Sequence, residues 1–152
     1  MNINGPSLLS RSDILEHIAK GGDLTKSLTM LCHATEQIAP GTRCSILSYN
    51  PQDQCVYHAA APSLPGSYTD AINGLKTGVG VGSCGTAAAT RKLVIVEDVY
   101  THPYWADFLD LAKEVGFRAC WSQPFFSTTG ELLGTFALYY DEVRKPNAKE
   151  LE

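Results

Sequence analysis

The residues with chemical potential concentrate in one glycine-rich stretch, Gly78-Val79-Gly80-Val81-Gly82-Ser83-Cys84-Gly85-Thr86, which runs into Ala87-Ala88-Ala89-Thr90. Four glycines in eight positions let the backbone take positive φ and approach a neighbour or ligand closely. Ser83 or Thr86 is placed to cap a short alanine-rich helix. A helix start leaves amide N–H groups without partners and carries partial positive charge. The stretch therefore presents a polar helix N-terminus bearing a thiol, Cys84. The dipole favours the thiolate, so Cys84 is expected to have a lowered pKa and to alkylate ahead of Cys32 and Cys44. Burial works in the opposite sense. The plainer alternative is a tight loop-to-helix turn whose glycines only permit packing.

Other chemistries are poorly served. Gly80-Val81-Gly82-Ser83-Cys84-Gly85 fits G-x-G-x-x-G, with Glu97 at a strand end downstream. That fingerprint needs a strand leading directly into the glycines and a full crossover helix after them. Here Ser67 to Leu75 reads as helix and the following segment is short, so a dinucleotide is not expected. The five cysteines (Cys32, Cys44, Cys55, Cys84, Cys120) are odd in number and scattered, with no C-x-x-C. This argues against a disulfide scaffold or a zinc site, and for reduced thiols in the cytoplasm. His17, His33, His58 and His102 are each isolated, and a lone histidine is more often a satisfied core or surface residue than a haem ligand. We assign no metal ligand and no catalytic residue, and the sequence names no cofactor.

The elements that position these residues follow from periodicity. Ser12 or Asp13 starts a first helix, with Glu16 as a capping-box partner and Gly21-Gly22 as its end. Asp23 caps a second, in which Leu24, Leu28, Leu31, Cys32, Thr35 and Ile38 share a face and Pro40-Gly41 is the stop. Cys32 reads as core and His33 as polar face. Arg43 to Tyr49 and Gln54 to Ala60 form a hairpin around Asn50-Pro51-Gln52-Asp53. A short helix from Ser67 to Leu75, with Tyr68 and Ile72 on one side, leads to the glycine loop and the Ala87 helix. Leu93 to Glu97 is a strand, and Trp105 to Val115 a helix closed by Gly116. Arg118 to Ser127 and Leu132 to Tyr140 form a second hairpin, with Pro124 near an edge or bulge. Pro146 opens a helix at Asn147 to Glu150 where the chain stops, which suggests a fragment. Leu151-Glu152 are native residues or a cloning remnant.

The bounds agree with one ordered domain. The chain has 152 residues, 44% apolar and 18% charged, with a net charge of −4. Nothing in that charge points to nucleic acid or an anionic membrane. No apolar run spans a bilayer, and Met1 to Pro6 lacks a signal-peptide pattern. Helices first, then strands mixed with helices, give an α+β fold.

The motifs in their order carry a resemblance. Gly80-Val-Gly-Ser-Cys-Gly-Thr-Ala-Ala, Val94-Ile-Val-Glu-Asp-Val, Arg118-Ala-Cys-Trp-Ser-x-Pro and Leu133-Gly-Thr-Phe-Ala-Leu-Tyr-Tyr, with Trp105-Ala-Asp-Phe between, resemble a bacterial GAF domain over residues 12–146. Residues 147–152 would begin a linker helix. The resemblance implies a central antiparallel sheet of about six strands. Terminal helices would cover one face, and short helices and loops would enclose a small-ligand pocket on the other. It also implies a sensory module of a diguanylate cyclase, phosphodiesterase, histidine kinase or transcription regulator, whose output domain lies outside this fragment.

Free methionine-(R)-sulfoxide reductases are GAF-like enzymes with a Gly-Val-Cys-Gly motif that Cys84 matches. Their other two thiols would fall near Phe108 and Gly74, and their acidic residues near Cys120, Ala137 and Tyr139, where this chain has neither. Sulfoxide reduction needs an attacking thiolate and a resolving thiol, so an enzyme is not expected. The cyclic-nucleotide set is not recognisable, with Asp110, Glu114 and Phe117 out of order. The Cys-His pair of bilin-binding relatives is missing, since Gly85 follows Cys84; Cys32-His33 lies in the terminal helix.

A binding module remains. Strand alternation puts Cys120, Ser122 and Pro124 on one face, with Thr135, Ala137 and Tyr139 beside them. Trp121, Phe136 and Leu138 point the other way, to pack under helices. Small and polar residues suit a ligand cavity, and the resemblance adds Ser45 and Leu47 to this face. Ser83, Cys84, Gly85 and Thr86 would line it, and Trp105 and Phe108 would form an aromatic lid. The partners expected are an unidentified small molecule and a second copy through the terminal helices, on the strength of Leu24, Leu28 and Leu31. The other reading is a dimerisation and signal-relay module with an empty pocket.

Overall fold

A computed structural model describes residues 24–145. The expected first helix, its successor's Asp23 cap and the helix after Pro146 lie outside the described residues. Helix α1, Leu24–Ile38, begins the description. Strand β1 (Thr42–Asn50) and strand β2 (Cys55–Ala60) follow. Next come helix α2 (Gly66–Ile72) and a two-residue strand β3 (Leu75–Lys76). Helix α3 (Gly82–Thr90) and strand β4 (Val94–Val96) complete the middle. A 3-10 turn at Pro103–Phe108 leads into helix α4 (Leu109–Val115), then strands β5 (Ala119–Phe126) and β6 (Leu132–Tyr140). The strands make one six-stranded antiparallel sheet in the order β3-β2-β1-β6-β5-β4, the α+β arrangement expected.

The sheet divides two cores. On one face α1 lays Leu28 and Cys32 against Cys44 and Ile46 of β1, with Phe136 and Leu138 of β6 packed beside them. On the other, α2, α3, the 3-10 turn and α4 enclose Leu47, Val56, Cys120, Ala137 and Tyr139. Cross-strand pairs keep the faces in register: Ser45 opposes Ala137, Leu47 opposes Thr135, and Cys120 opposes Tyr139. Pro124 lies past the last β4 rung, Val94 opposite Ser122, and next to the irregularity at Phe125/Phe126, so its missing N–H interrupts no ladder with β4.

Several elements depart from the sequence reading. The helix expected to reach Leu75 ends at Ile72, because Gly74 takes φ +79 and gives its N–H to Val56 O at 2.8 Å. Leu75 then pairs with Val56 as an edge strand. The segment Trp105 to Val115 is a 3-10 turn followed by a short α-helix. His102 Nδ1 accepts the Tyr104 N–H at 3.1 Å to start the turn, and Phe108 at φ −120 breaks it from α4. Gly116 closes α4 at φ +94. Trp121 packs under no described helix; it meets Tyr140 at 4.7 Å, with the Arg144 guanidinium over both rings. Leu28 is buried and Leu31 packs against the same cluster, so these two leucines serve the monomer's own core.

Candidate functional site

Helix α3 begins at Gly82, five residues before the alanines, which draws Ser83, Cys84 and Gly85 into its first turn. Gly82 sits at φ +61, a conformation that needs glycine. Neither Ser83 nor Thr86 caps the helix; Val81 holds that position and no side chain bonds the first amides. Thr86 Oγ1 instead accepts the Gly80 N–H at 3.0 Å and donates to Gly82 O at 2.7 Å, tying the glycine loop to the helix it precedes. Ser83 Oγ accepts the Trp105 indole N–H at 2.9 Å and donates to Cys120 O at 3.0 Å. One buried hydroxyl therefore joins α3, the 3-10 turn and β5.

A small cavity of about 20 Å³, open to solvent on one side, lies where these elements meet. Its wall is Val56, Tyr68, Ile72, Leu75 and Val81, then Gly82 to Gly85, with Trp105, Phe108 and Tyr139. That is space for about one water molecule, far below a typical small-molecule pocket, so a larger occupant has to move part of the wall. Of the residues expected there, Ser83, Cys84, Gly85, Trp105, Phe108 and Tyr139 form the wall. Ser45, Leu47, Thr86, Cys120, Ser122, Thr135 and Ala137 are fully or almost fully buried but stand behind it. Trp105 is a fixed wall and not a lid, since it is 3% exposed, bonded to Ser83, and edge-on to Phe108 and Phe117.

The wall also holds Val56, Tyr68, Ile72, Leu75, Val81 and Gly82, which the sequence does not place there. The spacing of Tyr68 and Ile72, four apart on one helix side, was the available signal. Val81 and Leu75 carried none.

The polar atoms at the cavity floor satisfy one another. Tyr68 OH donates to Tyr139 OH at 3.2 Å, and Tyr139 OH pairs with Ser45 Oγ at 3.1 Å. Ser122 Oγ donates to Cys84 Sγ at 3.3 Å. Thr135 Oγ1, also buried, makes no hydrogen bond of good geometry.

Burial pushes the Cys84 thiol up, against the smaller downward pull of the Ser122, Thr135 and Tyr139 hydroxyls. This reverses the lowered pKa expected from the helix dipole. The residue is half-buried by surface, yet its sulfur reaches the fully buried Ser122 on the sheet, and desolvation there outweighs the dipole. Burial also raises Tyr68 and Tyr139 well above the usual phenol range. His58, edge-on to Tyr68 at 6.2 Å, is pushed down to about 4 by burial, with the Thr69 backbone and Asn73 side chain opposing. Its ring nitrogens are buried and make no hydrogen bond of good geometry.

Among the described residues, no group of three or more His, Cys, Asp or Glu side chains is placed to hold a metal ion. No helix is long and apolar enough to cross a membrane. A helix N-terminus stabilises an anion by about 0.3–1 kcal/mol, whereas removing an ionised group from water costs several kcal/mol. No side-chain cation stands in the cavity wall.

Comparison with known proteins fits this geometry. A family model for the GAF domain matches residues 22–152. The chain belongs to the GAF family. It is 39% identical over 145 residues to a methyl sulfide methyltransferase-associated sensor of Methanosarcina acetivorans. That match takes in 95% of this chain but 14% of the relative's length. Among solved structures it is similar to a domain of a protein described as a two-component sensor histidine kinase from Sinorhizobium meliloti 1021. The TM-score there is 0.68 at 20% identity, covering 86% of this chain and 81% of that one. Free methionine-R-sulfoxide reductase from Neisseria meningitidis, in complex with its substrate, superposes at TM-score 0.66 and 18% identity. Those alignments cover 91% of this chain and 75% of the reductase. At such identities the two structures share the fold alone.

Proposed function

We propose that this chain is a non-catalytic sensory domain of a signal-transduction protein. It binds a small molecule in the cavity between α2, the start of α3 and the 3-10 turn. Occupancy passes to an output domain outside this chain, of cyclase, phosphodiesterase or kinase type. The observation that carries the reading is the cavity itself, walled by Tyr68, Cys84, Trp105 and Tyr139 on the sheet face that α1 leaves open. The sensor-named relative supports the same reading. Native mass spectrometry of freshly purified protein tests it. A co-purifying small molecule, or metabolites that raise the melting temperature, supports binding. A cavity that stabilises with nothing from a broad metabolite set favours a relay module with an empty pocket.

The odd, scattered cysteines support a cytoplasmic setting. For assembly we propose a homodimer through the terminal helices. Its support is Met30, 62% exposed on α1, since Leu28 and Leu31 are used within the monomer. Light scattering that shows a monomer at high concentration defeats this.

A second reading, reduction of free methionine sulfoxide, draws on Cys84 in the cavity wall and on the shared fold. Against it stand Gly74 and Phe108 at the positions of the missing thiols, and a Cys84 thiol that burial holds protonated. Turnover above background with a thiol reductant, abolished by Cys84→Ser, would establish it.

A further inference from the structure

We propose that Cys84 is a modification site for hydrogen peroxide: the oxidant converts its thiol to a sulfenic acid, and the cavity halts the oxidation at that stage. The inference is independent of the small-molecule reading above and adds a second input at the same wall.

Three observations meet at this sulfur. Cys84 is half-buried and stands in the wall of a cavity that opens to solvent on one side, so a small oxidant has a way in. The cavity, at about 20 Å³, has space for one water-sized group, and the oxygen of a sulfenic acid is such a group. Thr135 supplies the third. Its side chain is 0% exposed and its hydroxyl has no hydrogen-bond partner. Thr135 opposes Leu47 of β1 and shares a strand face with Ala137 and Tyr139, all three on the cavity side of the sheet. Burial raises the Cys84 thiol, and the Ser122, Thr135 and Tyr139 hydroxyls pull it partly back, so all three stand beside the sulfur. A buried hydroxyl left without a partner is costly. An oxygen added to Cys84 gives Thr135 the acceptor it lacks.

The Cys84 sulfur attacks one peroxide oxygen; the S–O bond forms as the O–O bond breaks, and sulfur gives up two electrons. The other oxygen leaves as hydroxide and takes the thiol's proton to become water. Because burial holds the thiol protonated and the thiolate is the attacking form, the step is slow. A single slow modification needs no resolving thiol, unlike a cycle of sulfoxide reduction. Sulfinic acid requires a second added oxygen, for which the cavity has no space. Cys55, near the surface, has no such limit.

Peptide mass mapping of this chain after exposure to millimolar hydrogen peroxide at neutral pH makes the test. Cys84 should gain one oxygen, removable by dithiothreitol, while Cys55 proceeds to two or three. Thr135→Val, folded to the same extent by circular dichroism, should raise the ratio of two-oxygen to one-oxygen Cys84 about tenfold, the worth of one hydrogen bond to the sulfenic acid. Should that variant not fold, the wild-type oxygen count alone decides. Cys84 left unmodified in the folded protein, Cys84 carried past one oxygen as readily as Cys55, or a ratio unmoved by Thr135→Val overturns the inference. Each of those outcomes leaves the small-molecule reading standing.

Discussion

Trp105 donates its indole N–H to Ser83 Oγ at 2.9 Å, and both residues are buried, at 3% and 0% exposure. Because Ser83 also donates to Cys120 O, it links the indole to the sheet. Ser83→Ala leaves the Trp105 indole donor without its partner in the interior and removes the side-chain bond to the Cys120 carbonyl. The expected loss is about 1–3 kcal/mol of unfolding free energy. Urea titration followed by tryptophan fluorescence measures it, and a loss below a few tenths of a kcal/mol would show that water reaches the pair.

Gly134 of β6 pairs with Ser48 of β1. A Cβ built there falls 1.9 Å from Leu47 O, a backbone atom that cannot move aside. Gly134→Ala should therefore cost more than about 3 kcal/mol or prevent folding, as overpacking at the upper end does. Gly130, in the turn, has φ +89 but open space around it. Gly130→Ala should cost about 1–2 kcal/mol, the conformational penalty alone. Equal effects at the two positions would contradict the strand contact.

His58 makes stability depend on pH. Its ring is protonated at about 6.5 in an unfolded chain but only near 4 when folded. The folded state thus binds fewer protons in that window. Its contribution is fully present above about pH 6.5 and is lost as pH falls toward 4, amounting to about 1–3 kcal/mol. Denaturation midpoints from pH 7.5 to 4.5 should fall with pH, and His58→Gln should flatten the slope. An unchanged slope would assign the loss to other groups.

Cys84 should react slowly for a thiol at a helix start. Iodoacetamide at neutral pH is expected to label Cys55, near the surface at the start of β2, before Cys84. Cys32, Cys44 and Cys120, each 0% exposed, should label last. Mass mapping over time gives the order, and Cys84 labelled first would restore dipole control of its pKa.

The faces of β5 and β6 were legible because a period of two assigns every residue once the strand is recognised. Cys120, Ser122, Thr135, Ala137 and Tyr139 lie together as that period requires. The wall of the cavity was only partly legible. Leu75 follows Asn73-Gly74, a helix stop legible in the sequence, but its pairing with Val56 as an edge strand depends on Gly74 meeting Val56 O, an atom far away in the chain. The first turn of α3 looked like loop because its glycines lower helix propensity, yet Thr86 holds Gly80 and Gly82 from within the helix. For Cys84, the dipole is a local property that sequence reveals. Its desolvation comes from β5 and β6, which sequence alone does not place beside it.

Strand β1 turns Ser45 and Leu47 toward the cavity floor and Cys44 and Ile46 toward α1. The two compartments thus share a single wall, one backbone thick. A molecule pressing on Tyr139 and, through it, on Ser45 is separated from the helix by the width of a peptide unit. Neighbouring residues of β1 already belong to opposite rooms.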